Sequence, residues 1–336
     1  MADISNLLSS IGATLDSHDN VDFNAGTHTS EYMTLINHRG LLSICGVDSK
    51  KFLQGQLTCD IDLLTDQQAI TGASCSPKGR VIGNFTLSQW DDQQLCFSGH
   101  RGSMSALHNH LNKYIVFSKA DLNLIDNYVC LGIKTDNITA ATGLLFDQVP
   151  VNNLTQSHHN DRKLLLIDAA QGLFEVWLPR DQLATSWQQL SSTLSPTNSS
   201  DWDRDIIASG FANTDQNTSD LFIPQHLNMQ LNGGISFTKG CYTGQEVVAR
   251  MQYRGKLKRH MYRVTATTLP PSGSPLYDGQ GEQSIGNMVQ TAHDGEKMVG
   301  LAVLADKSVA ANSVFCDQAG ELPLTELSLP YSITAE

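Results

Sequence analysis

Nowhere in its 336 residues does the chain hold the roughly 18 consecutive apolar residues that a membrane-spanning helix requires. No lysine or arginine precedes Arg39, so the start lacks both the basic region of a secretory signal and the arginine-rich face of a transit peptide. Together these absences predict a cytoplasmic protein. Charged side chains make up only 17% of residues, and acids outnumber bases to give a formal net charge of −12, which argues against nucleic-acid binding by the surface as a whole. The 7 cysteines are scattered, odd in number and never spaced C-x-x-C, so neither a disulfide framework nor a closed zinc site is expected. Both G-x-x-x-x-G-K-[ST] and a post-strand G-x-G-x-x-G are missing, which removes the usual phosphate-cradling loops.

What is present reads as a soluble protein of two or three domains. In 46–64, Asp48 or Ser49 offers an N-cap ahead of Phe52, Leu53 and Leu57 at helical spacing. A turn around Pro77 and Gly79 leads into a strand, and Met104, Leu107, Leu111 and Tyr114 form one apolar helical stripe. Strands are expected at "YIVF", "YVCLGI", "LLLIDA" and "LFEVWLP", without the strict alternation of a doubly wound sheet, so the class is α+β. The Ser/Thr/Asn-rich stretch 191–202 suggests an exposed connection. After Arg250, short strands separated by Gly, Pro and Asp turns predict a separate all-β module.

Few constellations invite chemistry. His108 and His110, two apart on a helix, point about 200° from each other and cannot share an ion. His158 and His159 have no ligand at suitable spacing, and no metal site is expected. A Cys–His protease would need His226 or His260 beside a cysteine, without any flanking signature for it. The segment "KGCYTGQE" is the exception. Gly240 and Gly244 permit close approach of a ligand or backbone, Lys239 can stabilise a Cys241 thiolate, and Glu246 can orient Lys239 or bind a ligand donor. A helix starting at "QEVVAR" would add its amide dipoles. A packed cysteine in a tight turn accounts for the same pattern equally well. Downstream, Arg250, Arg254, Lys256, Lys258, Arg259 and Arg263 form a basic strip suited to a phosphate backbone or a polyanionic ligand tail, or to a plain solvated face.

The stretch "KGCYTGQEVVAR" closely resembles the signature of the YgfZ family of folate-binding proteins. "DSKKFLQGQLTCDI", "SPKGRVIGNFTL", "KYIVFSKADL", "FIPQHLNMQLNGGISFTKGCYTGQE" and the terminal "LPYSI" resemble YgfZ segments in the expected order, over roughly residues 35 to 335. The resemblance implies the three-domain fold of the glycine-cleavage T-protein around a folate-sized opening, with a C-terminal β-barrel. It also implies tetrahydrofolate as ligand and a link to assembly or repair of iron–sulfur clusters. Through the iron–sulfur enzymes that thiomethylate tRNA it implies a part in tRNA modification, and a tie to replication initiation has been attached to the family. The implied divisions are 1–125, 126–245 and 246–336. Lys239, Gly240, Cys241, Tyr242, Gly244, Gln245 and Glu246 match the functional motif, and Trp202 matches a tryptophan assigned to folate, suited to stacking on a pterin. Arg39 stands where relatives often carry a second tryptophan. It can stack on the ring or pair with a glutamate carboxylate. Arg250, Arg254, Lys256 and Lys258 are candidates for nucleic acid or a folate's polyglutamate tail. Where the aminomethyltransferase has a carboxylate, this chain has Gly83 and Asn84, and an amide cannot take up a proton. The expectation is therefore an accessory factor, not an enzyme, with a folate-dependent one-carbon transferase as the alternative.

Overall fold

Leu-, Ile- and Val-rich runs bounded by turn residues pair into three larger sheets and a short two-stranded ribbon. The computed structural model describes residues 4–16, 20–23, 29–279 and 283–333. One antiparallel sheet of five strands has the order Ile70–Cys75, Val81–Gln89, Gln94–His100, Arg39–Cys45, Asp121–Ile125. The Arg101–Leu111 helix covers one of its faces with fully buried Met104, Leu107 and Leu111. Each of these side chains contributes about 1.5–3 kcal/mol by leaving water. His100 caps that helix, its Nδ1 accepting from the amide of Gly102 at 3.1 Å.

A six-stranded sheet has the order Gln156–His159, Arg162–Asp168, Leu173–Pro179, Tyr128–Lys134, Tyr32–Leu35, Ser195–Pro196. All neighbours are antiparallel except the last pair. The Leu183–Leu190 helix packs Leu183, Trp187 and Leu190 into the core on one face. Against Tyr32, Cys130, Leu165 and Trp177 lie Trp202 and Ile206 of the Ser199–Ala208 helix, together with Leu41 and Ala69 from the first sheet's region. Tyr32–Leu35 thus belongs to a sheet whose other members all follow residue 127, so sheet membership crosses the chain-order division at 125.

The C-terminal sheet has the order Pro275–Leu276, Gly286–Asp294, Lys297–Ala305, Arg259–Ala266, Thr325–Leu327. Bridges Tyr277↔Phe315 and Phe315↔Pro323 tie its two edge regions together and curl it towards a barrel. Met261, Val289, Val299 and Val303 share a core with Ala73, Cys75 and Val81 of the first sheet and with Val248 of the Gln245–Tyr253 helix.

Three local expectations change. "YIVF" is a single 3-10 turn, Ile115–Phe117, not a strand, because Asp121–Ile125 already occupies the edge of Arg39–Cys45 that it would need. Asp48 stands at the N-cap position of the Ser49–Gln54 helix as expected, but its side chain makes no capping bond; its carboxylate accepts instead from the amide of Lys119 at 2.8 Å. The 191–202 stretch is an exposed connection only in part: Ser191, Ser192, Thr193 and Ser195 are exposed, but Leu194, Thr197, Ser199 and Trp202 are buried. Its polar side chains serve neighbouring backbone, Ser199 Oγ accepting from the Val21 amide at 3.0 Å and Asn198 Oδ1 from the Phe23 amide at 2.9 Å.

Candidate functional site

Where the two large sheets face each other, a cavity opens whose empty space, open mouth included, is about 620 Å³. The first sheet contributes Arg39, Asn84, Thr86 and Ser98, the second Ile167 and Glu175, and the Ser199–Ala208 helix Trp202 and Ile206. The chain from Phe211 to Asn213, with Met229 and Asn232, completes the wall. Both folate candidates, Arg39 and Trp202, therefore meet at one cavity.

Their partners were not legible in the sequence. Arg39 Nη2 pairs with Glu175 Oε1 at 2.6 Å, with Arg39 8% and Glu175 2% exposed. The other carboxylate oxygen accepts from Trp177 Nε1 at 3.1 Å. Nη1 of Arg39 donates to Asn213 Oδ1 at 3.4 Å, while its buried Nε has no partner among the described residues. The glutamate carboxylate that Arg39 finds is thus the protein's own. The only signal for Glu175 was a charged residue inside the apolar run "LFEVWLP". Trp202 packs against the strand behind it, so closely that a Cβ at Gly132 would lie 2.6 Å from the indole.

Asn84 is committed to the wall. Its Nδ2 donates to the Ala212 carbonyl at 2.5 Å, and its Oδ1 accepts from the amide and hydroxyl of Thr214 at 2.9 and 2.7 Å. Beside Arg39 on the neighbouring strand lies His100, stacked on His38 at 5.6 Å. Burial first, then the nearby His38, pushes the His100 pKa down to about 4.

The "KGCYTGQE" segment forms a turn ahead of the Gln245–Tyr253 helix, which begins where expected. Gly244 has φ +85, and a Cβ there would lie 2.6 Å from the Ser76 carbonyl oxygen. Gly79, at φ +69, sits against Val247 and the Gly244 carbonyl. The two glycine turns interlock, and only glycine adopts both conformations without strain. Cys241 is exposed. Lys239 does not serve it as expected: Nζ donates to the carbonyls of Leu57 at 2.9 Å and Cys59 at 2.6 Å, and lies 5.5 Å from the ring centre of buried Tyr242. Burial lowers the Lys239 pKa. Glu246 is exposed on the first helical turn and is not among the partners of Lys239. Gln245 Nε2 reaches back to the Gly240 carbonyl at a long 3.5 Å.

Cys241 and the cavity are separate but connected. Asn232 lines the cavity, and seven residues on Lys239 grips the Leu57–Cys59 segment, where Cys59 packs against Gly72, another lining residue. Arg250, Arg254, Lys256 and Lys258 are exposed and lie outside the lining. His260 Nδ1 pairs with Asp306 at 2.8 Å, and His226 lies beside Arg259 and Arg80, so neither histidine is committed to Cys241. His110 is set against the ring of Tyr114 at 5.3 Å, while His108 Nε2 is 3.0 Å from Asn112. Among the described residues no group of three or more His, Cys, Asp or Glu side chains is placed to hold a metal ion, and no helix is long and apolar enough to cross a membrane.

No protein-family model matches the chain. The tRNA-modifying protein YgfZ of Hamiltonella defensa is 36% identical over 248 residues, 72% of this chain and 73% of the relative. That of Pectobacterium carotovorum is 34% identical over 300 residues, covering 88% and 90%. That of Yersinia enterocolitica is 32% identical over 301 residues, covering 88% and 91%. In structure the chain is similar to the glycine cleavage system aminomethyltransferase T from Bartonella henselae, with a TM-score of 0.68 at 16% identity over 89% of this chain and 86% of the other. At that identity the likeness concerns the fold.

Proposed function

Since the chain belongs to the YgfZ family of tRNA-modifying proteins, we propose that it is a tetrahydrofolate-binding accessory factor that supports iron–sulfur enzymes in the thiomethylation of tRNA. The observation that carries the folate part is the cavity shared by Trp202, Arg39 and Glu175. A pterin has a flat ring and an aminopyrimidine edge bearing two adjacent N–H donors. The Trp202 indole suits the ring, the Glu175 carboxylate suits that edge, and the orphaned Arg39 Nε supplies a buried donor that needs an acceptor. These residues fit the ligand, although Trp202 is only 2% exposed and entry requires its neighbours to give way.

The accessory reading, as opposed to a one-carbon transferase, is supported by Asn84. Its amide is spent on the Ala212–Thr214 segment and offers no group to accept a proton from a bound folate. Cys241 is the reactive candidate because it is exposed while Cys59, Cys75, Cys96 and Cys130 are buried. One thiolate cannot hold a cluster that commonly takes four ligands, so its chemistry is shared with a partner enzyme or is that of a redox thiol.

Two measurements test the reading. Tetrahydrofolate should quench the tryptophan fluorescence of the wild type, and Trp202→Phe should weaken binding tenfold or more without lowering the melting temperature below the cell's range. Cells whose only copy carries Cys241→Ala should lose thiomethylated tRNA. Absence of folate binding by the wild type overturns the cavity assignment. Turnover of tetrahydrofolate to its methylene form with an amine donor replaces the accessory factor with the transferase.

A further inference from the structure

After the Arg101–Leu111 helix the chain makes its one-turn excursion at Ile115–Phe117 and leaves large apolar side chains in water. Phe117 is 99% exposed, Val116 73% and Tyr114 38%. The tip is held firmly. The Asp48 amide donates to the Lys119 carbonyl at 3.3 Å, the Lys119 amide donates to Asp48 Oδ2 at 2.8 Å, and Gly46 packs so closely that a Cβ would sit 2.7 Å from Ala120 Cα. That contact brings up a second exposed apolar residue, Val47 at 87%. Around both segments stand Lys50, Lys51, Lys113 and Lys119, all exposed and none in an ion pair among the described residues. Asp48 accepts from the Lys119 amide, and exposed Asp121 follows at the start of the next strand, so the lysines outnumber the acids on these segments.

Four exposed cations, in no ion pair among the described residues, lie on the two joined segments that carry a solvent-facing phenyl ring, and on a protein of net charge −12 they form a local surface complementary to a polyanion with flat apolar faces. A protein partner fits less well, because lysines are depleted from the cores of protein interfaces and would be desolvated there. Single-stranded nucleic acid fits both parts: phosphates take the lysines and an unstacked base takes the ring. The surface continues past the tip. The Ser49–Gln54 helix ends at Gly55, whose carbonyl accepts from the Thr243 amide at 3.2 Å, two residues from Cys241. Beyond the turn the Gln245–Tyr253 helix leads to exposed Arg250, Arg254, Lys256 and Lys258.

We propose that the lysine-framed Tyr114–Phe117 tip is a stacking platform for an unpaired base of RNA, and that the RNA runs from there past Cys241 to the basic stretch after Arg250. The proposal rests on the tRNA-modification reading for the class of partner. It is independent of folate, so the same variants are titrated with tetrahydrofolate as a control.

The experiment is fluorescence anisotropy with a labelled, unmodified stem–loop RNA and a blunt duplex of equal length. Wild type should prefer the stem–loop. Phe117→Ala removes a ring that touches solvent only, so its melt and folate binding should be unchanged, while stem–loop affinity falls about tenfold, the scale of one base–aromatic stack. Its salt dependence should stay as in the wild type. Lys113→Ala with Lys119→Ala should instead make the plot of log affinity against log salt shallower, by about 0.7 per lysine. Equal binding of stem–loop and duplex, or a Phe117→Ala variant that binds the stem–loop as tightly as wild type, overturns the proposal. So does self-association or binding to anionic vesicles that Phe117→Ala abolishes while RNA binding is unaffected, for the tip would then belong to another partner.

Discussion

Replacing Lys239 by methionine separates two roles that a lysine two residues before a cysteine can have. Methionine keeps the length and apolar stem of the side chain and removes the ammonium. In the folded protein that ammonium is the donor to the Leu57 and Cys59 carbonyls, at 2.9 and 2.6 Å, inside a region where Leu57 is 0% and Cys59 2% exposed. An orphaned buried acceptor costs about 1–3 kcal/mol, and the lost contact with the Tyr242 ring adds about 0.5–2 kcal/mol. Relief of the desolvation that depresses the lysine pKa offsets part of this loss. The expected net destabilisation is about 2–4 kcal/mol, large against the roughly 5–15 kcal/mol that holds a typical domain together. Urea unfolding reads it directly. In parallel, alkylation of Cys241 by iodoacetamide, followed on its own peptide by mass spectrometry, should proceed within about twofold of the wild-type rate in native buffer, since Nζ is engaged elsewhere. A variant that unfolds with the wild type yet reacts tenfold more slowly at Cys241 would refute this reasoning and return Lys239 to the thiol.

Two further expectations concern stability. Gly244→Ala forces a side chain onto φ +85 and against the Ser76 carbonyl at 2.6 Å, for a loss of about 2 kcal/mol or more, whereas Gly240→Ala meets nothing within 4 Å and should stay within about 0.5 kcal/mol. Equal losses in the two urea midpoints would contradict the interlocked turns. His226 is pushed down to about 4 by burial and then by Arg259, His260 and Arg80. The unfolded chain, near 6.5, therefore binds the extra proton first, so stability present above pH 6.5 is lost as pH falls towards 4. His226→Leu should flatten that decline between pH 6.5 and 5, and an unchanged slope would show that the loss comes from other groups.

Much of the fold was legible because it is written in local patterns. "YVCLGI" and "LFEVWLP" are apolar runs bounded by turn residues, and both are neighbours in the six-stranded sheet. The Gly/Pro/Asp-punctuated strands after Arg250 became the curled C-terminal sheet. "YIVF" misled because its composition is that of a strand, and only the pairing of Arg39–Cys45 with Asp121–Ile125 shows that no partner is left for it. The polar 191–202 stretch misled for the opposite reason: its second half is largely buried, with Ser199 and Asn198 taken up by backbone donors from the far N-terminal segment.

Resemblance to YgfZ segments singled out Trp202 and Arg39, while the sequence by itself determined which other residues are chemically out of place: a cysteine between glycines and a basic strip on an acidic chain. Those are properties of composition and spacing, and folding does not alter them. Where each one points was decided only by tertiary structure. Lys239 reaches carbonyls 182 and 180 positions away, and Arg39 finds Glu175 across two sheets. Long flexible side chains select partners by which backbone is brought near, and that is a consequence of sheet pairing rather than of neighbouring residues.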